Sequence, residues 1–276
     1  MKKFSYFLFG ILISLSSFSQ DKNKTDEKHE NHYKQLAPFE NEFFKVEFSD
    51  AHSQMAFTFI KVKISNKTND YLEIDPSKIL FNYDFGSFSP SNRKFIIDPK
   101  KAKTKKLKIS GDNDFHVEKF ELVLSGFSII PSKGEVITIE NFQLPPSTNN
   151  IEINGLECAL SKLSQETKET SAKFNCVNKT GNFLIVNPSK IAVNSDKTTP
   201  YANDAGRSMK KALLEDGEKF NVQAVFHIPG KIVDMQFANL MIDWRDAFVS
   251  TKSNPTNITE TFKMEIDPGL TAGHNK

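Results

Sequence analysis

The side chains that could carry chemistry in this sequence are few, and none falls into a recognised catalytic pattern. The chain of 276 residues has two cysteines and six histidines. It contains no G-x-S-x-G elbow, H-E-x-x-H zinc motif, phosphate-binding loop, EF-hand or C-x-x-C pair. Carboxylates are numerous, but no spacing singles out an acid–base pair. The sequence therefore predicts neither a catalytic residue nor a cofactor, and we expect a protein that is not an enzyme.

The histidines suggest a metal site, but the ligand count argues against one. His29 and His32 are three residues apart and would lie on one turn of a helix. A zinc site needs three or four ligands, and the polar segment around this pair offers no third ligand on a rigid scaffold. A solvated segment is the favoured interpretation, and no metal is predicted. His116 and His227 each follow a phenylalanine and are interpreted as half-exposed strand histidines.

A run of lysines is the first candidate binding site. Six lysines lie between positions 100 and 108, and Lys101, Lys103 and Lys105 would share one face of an extended chain. They form a candidate site for an anionic partner such as an acidic glycan or an anionic lipid headgroup. The alternative is a solvated edge strand, which lysines commonly guard against aggregation.

A group of aromatic residues is the second candidate binding site. Phe85 and Phe88 lie where a strand of alternating residues passes into a loop. Exposed aromatic rings at such a position could stack on a sugar or contact a protein partner. The alternative is that both rings are packed in or near the core, where phenylalanine is usually found.

A repeated segment indicates which elements position these residues. Residues 66–79 read N-K-T-N-D-Y-L-E-I-D-P-S-K-I and residues 178–191 read N-K-T-G-N-F-L-I-V-N-P-S-K-I, with eight of fourteen positions identical at an offset of 112. In each copy a polar turn precedes a short alternating strand that a proline ends. The repeat predicts one domain duplicated in tandem. N-K-T also matches a glycosylation acceptor, but its return at the same turn favours a structural role.

Alternation of apolar and polar residues predicts seven short strands in each unit. They cover 43–49, 56–65, 71–75, 79–85, 105–110, 117–125 and 135–142, and then 156–163, 171–177, 183–187, 191–194, 219–228, 235–243 and 257–266. This pattern predicts an all-β fold of two antiparallel β-sandwiches, at 38–144 and 151–268, joined by a proline-rich linker at 145–150. Residues 208–215 could add one or two helical turns, and 269–276 form a polar tail.

The two cysteines predict a disulfide. At the offset of 112, Cys158 and Cys176 correspond to Val46 and Ile64, which belong to the first two strands of the other unit. In an antiparallel hairpin with its turn near Thr167 they would face each other. Closing a loop of this length should contribute about 3 kcal/mol. The alternative is a pair of buried free thiols that act as small apolar side chains.

The N-terminus predicts export. A short basic start, an apolar run over 4–18 and small residues before Gln20 form a signal peptide at 1–19, and the run is too short to span a bilayer. Residues 20–37 are polar and predict a disordered leader. No second apolar span follows, so we expect a periplasmic or extracellular protein without a transmembrane segment after cleavage. The net charge of +2 is too near neutral to predict nucleic-acid binding.

Two sequence motifs carry a resemblance. The N-K-T-x-x-x-L-x-I-x-P-S-K-I segment, together with E-D-G-E-K-F-N-V-Q-A-V-F-H-I-P-G at 215–230, resembles tandem immunoglobulin-like β-sandwich domains of secreted bacterial proteins. Cleavage before a glutamine and the composition are similar to those of Bacteroidetes proteins. The resemblance covers nearly the whole mature chain and implies extracytoplasmic binding or scaffolding, not a reaction.

Three functions remain open from the sequence. The first is a secreted, non-catalytic binding or scaffold protein of the bacterial envelope, with an envelope protein or an anionic glycan as its partner. The second is an accessory subunit of an envelope machine that pairs with a partner through its sheet edges. The third is an enzyme whose site is assembled between the two domains, where sequence spacing does not reveal it.

Overall fold

The protein is all-β, as its alternating sequence predicts. The computed structural model describes residues 28–195 and 200–276, which form short antiparallel strands and one terminal α-helix. The strands of the first half are β1 (Asn31–His32), β2 (Phe39–Glu40), β3 (Phe44–Gln54), β4 (Phe57–Asn66), β5 (Tyr71–Ile74), β6 (Leu80–Tyr83), β7 (Gly86–Phe88), β8 (Phe95–Ile97), β9 (Ala102–Ser110), β10 (Lys119–Leu124), β11 (Phe127–Ile130), β12 (Glu135–Val136) and β13 (Phe142–Leu144).

The second half repeats this succession of elements. Its strands are β14 (Asn150–Ile153), β15 (Leu156–Gln165), β16 (Glu169–Asn178), β17 (Phe183–Val186), β18 (Ala192–Asn194), β19 (Tyr201–Ala202), β20 (Ala212–Leu214), β21 (Lys219–His227), β22 (Leu240–Asp243), β23 (Phe248–Thr251), β24 (Asn254–Pro255) and β25 (Glu260–Glu265). Helix α1 (Pro268–His274) ends the chain, and 3-10 turns follow β5, β17 and β19.

The strands form six sheets, three around each of two cores. The first unit has the orders β1-β3-β4-β9 (with β2 also on β3), β25-β10-β6-β7 and β24-β11-β5-β8. The second unit has β14-β15-β16-β21, β13-β22-β18-β19 and β12-β23-β17-β20. Each sheet of one unit therefore has a counterpart in the other, with β2 in the position of β14 and β1 as an additional strand. The finer prediction, immunoglobulin-like sandwiches that arose by duplication, stays a prediction.

The last two strands of each half pair in the opposite unit. Strands β12 and β13 precede the predicted linker but pair with β23 and β22 in the second unit. Strands β24 and β25 come from the second half but pair with β11 and β10 in the first unit. We call this arrangement the reciprocal strand exchange. The predicted boundaries, 38–144 and 151–268, therefore do not coincide with the two sets of sheets.

The exchanged strands close the two main cores. Met264 of β25 is 1% exposed and belongs to the apolar cluster of the first unit, whereas Leu144 of β13 is fully buried in that of the second. A third, smaller cluster joins the units, because Tyr71, Ile130 and Ile185 pack together from strands of both. The alternation predicted for the repeat explains this cluster. Leu72 faces the first core, and its neighbour Tyr71 faces the other unit.

The repeated N-K-T turn is held by a buried asparagine. The Nδ2 group of Asn66 donates to the backbone carbonyls of Asp70, Ile97 and Asp98 at 2.7, 3.2 and 3.2 Å, and its Oδ1 accepts from both the backbone and the hydroxyl of Thr68. Asn178 is bound in the same way by the corresponding groups of the second copy. A buried amide with these partners has a structural role, as the sequence analysis favoured over glycosylation.

Two terminal segments need correction. The leader was predicted to be disordered to residue 37, but within it β1 pairs with β3, and Tyr33 is buried against the first core. The Tyr33 hydroxyl donates to the carbonyl of Val117, and burial raises the pKa of this phenol to about 12. The predicted polar tail contains α1. The composition of this segment is that of a disordered chain, but its backbone pairing and the burial of one tyrosine make it ordered.

The remaining predictions concern a short helix, the N-terminal segment and membrane-spanning helices. The helical turns predicted at 208–215 are absent there, since a 3-10 turn at Ala205–Arg207 precedes β20 instead. The signal peptide at 1–19 and the leader up to residue 27 lie outside the described residues. Among the residues from 28 to 195 and from 200 to 276, no helix is long and apolar enough to cross a membrane.

The network around the buried asparagine generates a stability prediction. We expect Asn66→Ala to lower the free energy of unfolding by about 2–3 kcal/mol, because it leaves buried carbonyls without a donor. Exposed Asn69 of the same turn is the matched control, and Asn69→Ala should change stability by less than about 0.5 kcal/mol. Urea denaturation of both variants measures the difference. Equal stabilities would contradict the structural role of the turn.

Candidate functional site

Histidines from distant parts of the chain come together at one edge of the first unit. The ring of His274, at the end of α1, stacks on the ring of His32 with centroids 4.0 Å apart. His52 of β3 is the register partner of His32, with ring centroids 5.5 Å apart. Charge on His274 and, above all, burial lower the pKa of His32. Of these three histidines, His32 lies in the segment that the sequence analysis interpreted as solvated.

A carboxylate completes a set of three potential metal ligands. The Oε2 atom of Glu30 lies 3.1 Å from Nε2 of His32. Ligand atoms of Glu30, His32 and His274 all lie within 4.8 Å of one another. The other carboxylate oxygen of Glu30 accepts a 2.8 Å hydrogen bond from the side chain of Gln54, which fixes the direction of Oε2. We call these three residues the Glu-His-His site.

The C-terminal helix is fastened to β1 by side chains that bind its backbone. The amide group of Asn275 accepts from the backbone nitrogen of Glu30 at 2.9 Å and donates to its carbonyl at 2.8 Å. The hydroxyl of Thr271 accepts from the backbone nitrogen of His32 at 3.0 Å. Asp267 begins the helix by accepting from the backbone nitrogens of its first turn. These bonds hold both ends of the described chain together.

A β-bulge decides which side chains of β3 face outward. Phe48 points into the first core, but the pairing with β4 shifts between Ser49 and His52, where Asp50 has a φ of 50°. The extra residue inverts the alternation. His52 therefore lies on the outer face and contacts Phe59 of β4, with ring centroids 4.9 Å apart. The outer face of this sheet thus carries a row of rings from β1 to β4.

Sequence reasoning missed Glu30, His52 and His274, because nothing in their spacing connects them. His32 and Thr271, which brings α1 onto β1, are 239 positions apart. His29 and His32 do not share a helical turn, since His32 belongs to β1 and His29 lies in the irregular segment before it. His29 instead lies beside His116, with Nδ1 and Nε2 of the two rings 2.8 Å apart. The sequence contains no signal that would have connected these residues.

The two histidines interpreted as strand residues have different surroundings. His116 lies in the loop before β10 and contacts His29. His227 ends β21, where Asp204 binds Nδ1 at 2.8 Å and Glu169 binds Nε2 at 2.9 Å. The hydrogen bond that the ring donates to Asp204, together with the one to Glu169, raises the pKa of His227. The two carboxylates occupy opposite sides of the ring, so they do not converge on one point.

The predicted lysine run forms an edge strand. It enters β9, which is the last strand of its sheet and pairs with β4. Lys103 donates to the carbonyl of Ile96, and Lys105 lies over the ring of Phe95, 4.9 Å from its centroid. On the other face, Lys106 and Lys108 lie over the rings of Phe59 and Phe57 at 5.5 and 4.2 Å. Lys101 is exposed just before the strand.

The two candidate aromatics differ in exposure. Phe85 is 44% exposed, and its ring stacks on that of Tyr83 with centroids 4.9 Å apart. Phe88 is partly buried against the first core and contacts the buried ring of Phe115 at 5.2 Å. The structure therefore brings both into one aromatic group, in which Phe85 is the accessible member. Their predicted contact with a partner stays a prediction.

The predicted disulfide is present. Cys158 of β15 and Cys176 of β16 are register partners, and their Cα atoms are 4.1 Å apart. The corresponding residues of the first unit, Val46 and Ile64, are also register partners. Both cysteines are buried in the second core, as the alternation requires. The bridge therefore replaces an apolar cross-strand contact at the same place in the sheet.

A cleft between the units corresponds to the site that an inter-domain enzyme would use. It has a volume of about 520 Å³, and its walls include Glu73 and Lys94 from the first half and Asp216 and Lys252 from the second. The Glu73 carboxylate accepts a 2.8 Å hydrogen bond from the hydroxyl of Ser253, which is the serine that could act as a nucleophile in this cleft. No histidine lines this cleft among the described residues, and a nucleophilic serine needs a neighbouring base.

Comparisons with known proteins do not show a family. No protein-family model matches the sequence, and no curated protein matches it. A solved structure, the secreted serine protease VesC from Vibrio cholerae, is 9% identical with a TM-score of 0.19, over 88% of this chain and 52% of that chain. The chain thus spans about half the length of that protein. A score this low shows no common fold.

The disulfide generates a second stability prediction. We expect the double substitution Cys158→Val and Cys176→Ile, which copies the first unit, to lower the unfolding free energy of the second unit by about 3 kcal/mol. Trp244 is the single tryptophan and is buried in the second core, so its fluorescence reports on that unit. The reverse change, Val46→Cys and Ile64→Cys, alters the corresponding strand pair of the first unit and serves as the control. Unchanged fluorescence midpoints in the Val–Ile variant would show that the bridge does not stabilise the fold.

Proposed function

We propose that this chain is a secreted, non-enzymatic binding protein of the bacterial envelope that holds an acidic glycan along β9. The observation that carries the proposal is a row of lysines that no carboxylate of the described residues neutralises. Within 28–195 and 200–276, no carboxylate lies within ion-pair distance of Lys101, Lys103 or Lys105, although Lys63 of the neighbouring strand pairs with Glu47 at 2.9 Å.

Aromatic rings support the lysines of this strand. The rings of Phe57, Phe59 and Phe95 lie under three ammonium groups, a contact that fixes a charge without neutralising it. Lys61 faces Lys106 across the strand pair and adds charge to the opposite face of the sheet from Lys103 and Lys105.

The equivalent edge of the second unit has a different character. Strand β21 is the last of its sheet, but the side chain of Asn203 binds it by donating to the carbonyl of Gln223 and accepting from the nitrogen of Val225. At its end, His227 is bound by two carboxylates. Strand β21 contains one lysine, whereas β9 contains four, so the row of lysines is a feature of the first unit.

The shape of the charged surface favours a linear polymer. Successive side chains on one face of a strand are about 6.7 Å apart, so the lysines form a row rather than a patch. A repeating acidic glycan can follow such a row, and the exposed ring of Phe85 could stack on a sugar elsewhere on the unit. A flat anionic membrane would contact only part of the row at a time.

The proposal also includes export of the protein and an origin of its two units by duplication. The disulfide suits an oxidising compartment, and the sequence before residue 20 has the features of a signal peptide. We infer that the two units descend from one immunoglobulin-like sandwich by duplication. Support comes from the offset of 112, the matching strand orders and the equivalent asparagine networks.

The alternatives have less support. Pairing with a partner strand requires an open sheet edge. Of the edge strands, β21 is bound by the side chain of Asn203 and β9 is guarded by lysines. The inter-unit cleft contains Ser253 and Glu73 but no histidine among the described residues that line it. We therefore favour a binding function over catalysis and over pairing with a partner strand.

The proposal predicts salt-sensitive binding to an acidic glycan. Heparin is a suitable linear probe, and its affinity should fall steeply as salt rises, because the Debye length shrinks from about 10 Å at 0.1 M to about 3 Å at 1 M. Replacing Lys101, Lys103 and Lys105 by Ser should weaken binding about tenfold at low salt, since each exposed charge contributes modestly. Affinity electrophoresis or calorimetry measures both effects.

The matched control removes the same charge from the second unit. Lys162 and Lys173 face each other on the corresponding sheet, and Lys219 begins β21; all three are exposed. Their replacement by Ser should leave heparin binding unchanged. Equal losses in the two triple variants would reduce the effect to net charge and contradict the proposal. Preference for vesicles of phosphatidylglycerol over heparin would identify a membrane as the partner instead.

A further inference from the structure

We propose that the Glu-His-His site binds a divalent transition-metal ion, with zinc as the best match. Its three potential ligands are one carboxylate and two imidazoles, a donor set that suits zinc and leaves a fourth position for water. This inference rests on side chains other than those of the lysine strand. It would therefore stand if glycan binding failed.

The spacing of the donor atoms carries the proposal. In a tetrahedral zinc site with bonds near 2.0–2.1 Å, neighbouring ligand atoms are about 3.3 Å apart. Oε2 of Glu30 and Nε2 of His32 are already 3.1 Å apart. His274 has its ligand atom within 4.8 Å of both, and it lies on the exposed end of a helix where a small rotation can bring it closer.

The surroundings hold these groups in place before any ion arrives. Gln54 binds the second oxygen of Glu30, a contact typical of the outer shell of metal sites. Asn275 binds both backbone polar groups of Glu30, and Thr271 binds the backbone of His32. His32 is itself largely buried. Because these contacts order the ligands in advance, little conformational entropy is lost when the ion binds.

Other histidines of the protein lack this convergence. His227 also has two carboxylates nearby, but they bind opposite nitrogens of its ring. His29 and His116 bring two nitrogens within 2.8 Å of each other, which is a hydrogen-bonded pair. Among the described residues, the Glu-His-His site is the group of three or more such ligands whose donor atoms converge.

Metal binding here would join the two ends of the described chain. His32 belongs to its first strand, Glu30 immediately precedes that strand, and His274 ends the terminal helix. An ion that binds this arrangement and not the unfolded chain raises the melting temperature. At a hundredfold excess over its dissociation constant, zinc should raise that temperature by about 5 °C in a protein of this size.

Calorimetric titration of the mature chain with zinc tests the proposal. The protein begins at residue 20, carries no polyhistidine tag and is first freed of metal. We expect one zinc ion per chain. His274→Phe keeps a ring stacked on His32 but removes the ligand, so it should weaken zinc binding about a hundredfold while the melting temperature without metal stays the same. Glu30→Gln should weaken binding similarly.

Two further variants locate the ion. His227→Ala removes an exposed histidine that is flanked by carboxylates and should leave zinc affinity and stoichiometry unchanged. His116→Ala should do the same. Wild-type affinity in both His274→Phe and Glu30→Gln would overturn the proposal, and so would loss of the ion in His116→Ala alone. Absence of binding to the wild-type protein at about 100 μM zinc would also overturn it, because that affinity is weak for three ligands.

Discussion

The pairing of β25 with β10, together with that of β13 with β22, is the contact on which the rest of the structure depends. Each pairing places the last strand of one half against a sheet of the other unit. Met264, from the second half of the sequence, is then buried in the core of the first unit. Leu144, from the first half, is buried in the core of the second. Removing either strand would expose apolar side chains, each contributing about 1.5–3 kcal/mol when buried. The two units are therefore stable together, not separately.

The exchange also creates the candidate metal site. Because β25 runs beside β10, the chain leaves the sheet at Ile266, which bridges to Tyr33 near β1. Helix α1 then lies on β1, where Asp267 and Thr271 bind the backbone of His32. If the last strand paired within its own half, His274 would end in the other unit. Fold topology, not local sequence, thus determines which ligands meet.

Much of the local structure follows from the sequence, for identifiable reasons. The period of two in the repeat predicts which side of β5 is buried, and Leu72 and Ile74 do face the core. The constant sum of residue numbers in a hairpin predicts the register of Cys158 with Cys176. These successes rest on neighbours along the chain. The bulge at Asp50 was not predicted, because one inserted residue inverts the pattern without any change in composition.

The strand exchange was beyond sequence reasoning for a physical reason. Two similar repeats present similar strand edges and similar apolar faces, so alternation specifies that β25 must pair but not with which copy. The choice depends on tertiary contacts such as the inter-unit cluster of Tyr71, Ile130 and Ile185. For the same reason, the Glu-His-His site could not be predicted from the sequence. Its ligands are individually unremarkable residues near the two termini, and only the exchange brings them together.

Chemical cross-linking between strands tests the exchange most directly. Glu121 of β10 is the register partner of Lys263 of β25, and Gln143 of β13 would take that place if each half kept its own strand; all three are exposed. With a short thiol-specific cross-linker, the pair Glu121→Cys and Lys263→Cys should be joined in nearly every chain. The pair Glu121→Cys and Gln143→Cys should remain unjoined. The opposite result, mapped by mass spectrometry, would contradict the reciprocal strand exchange.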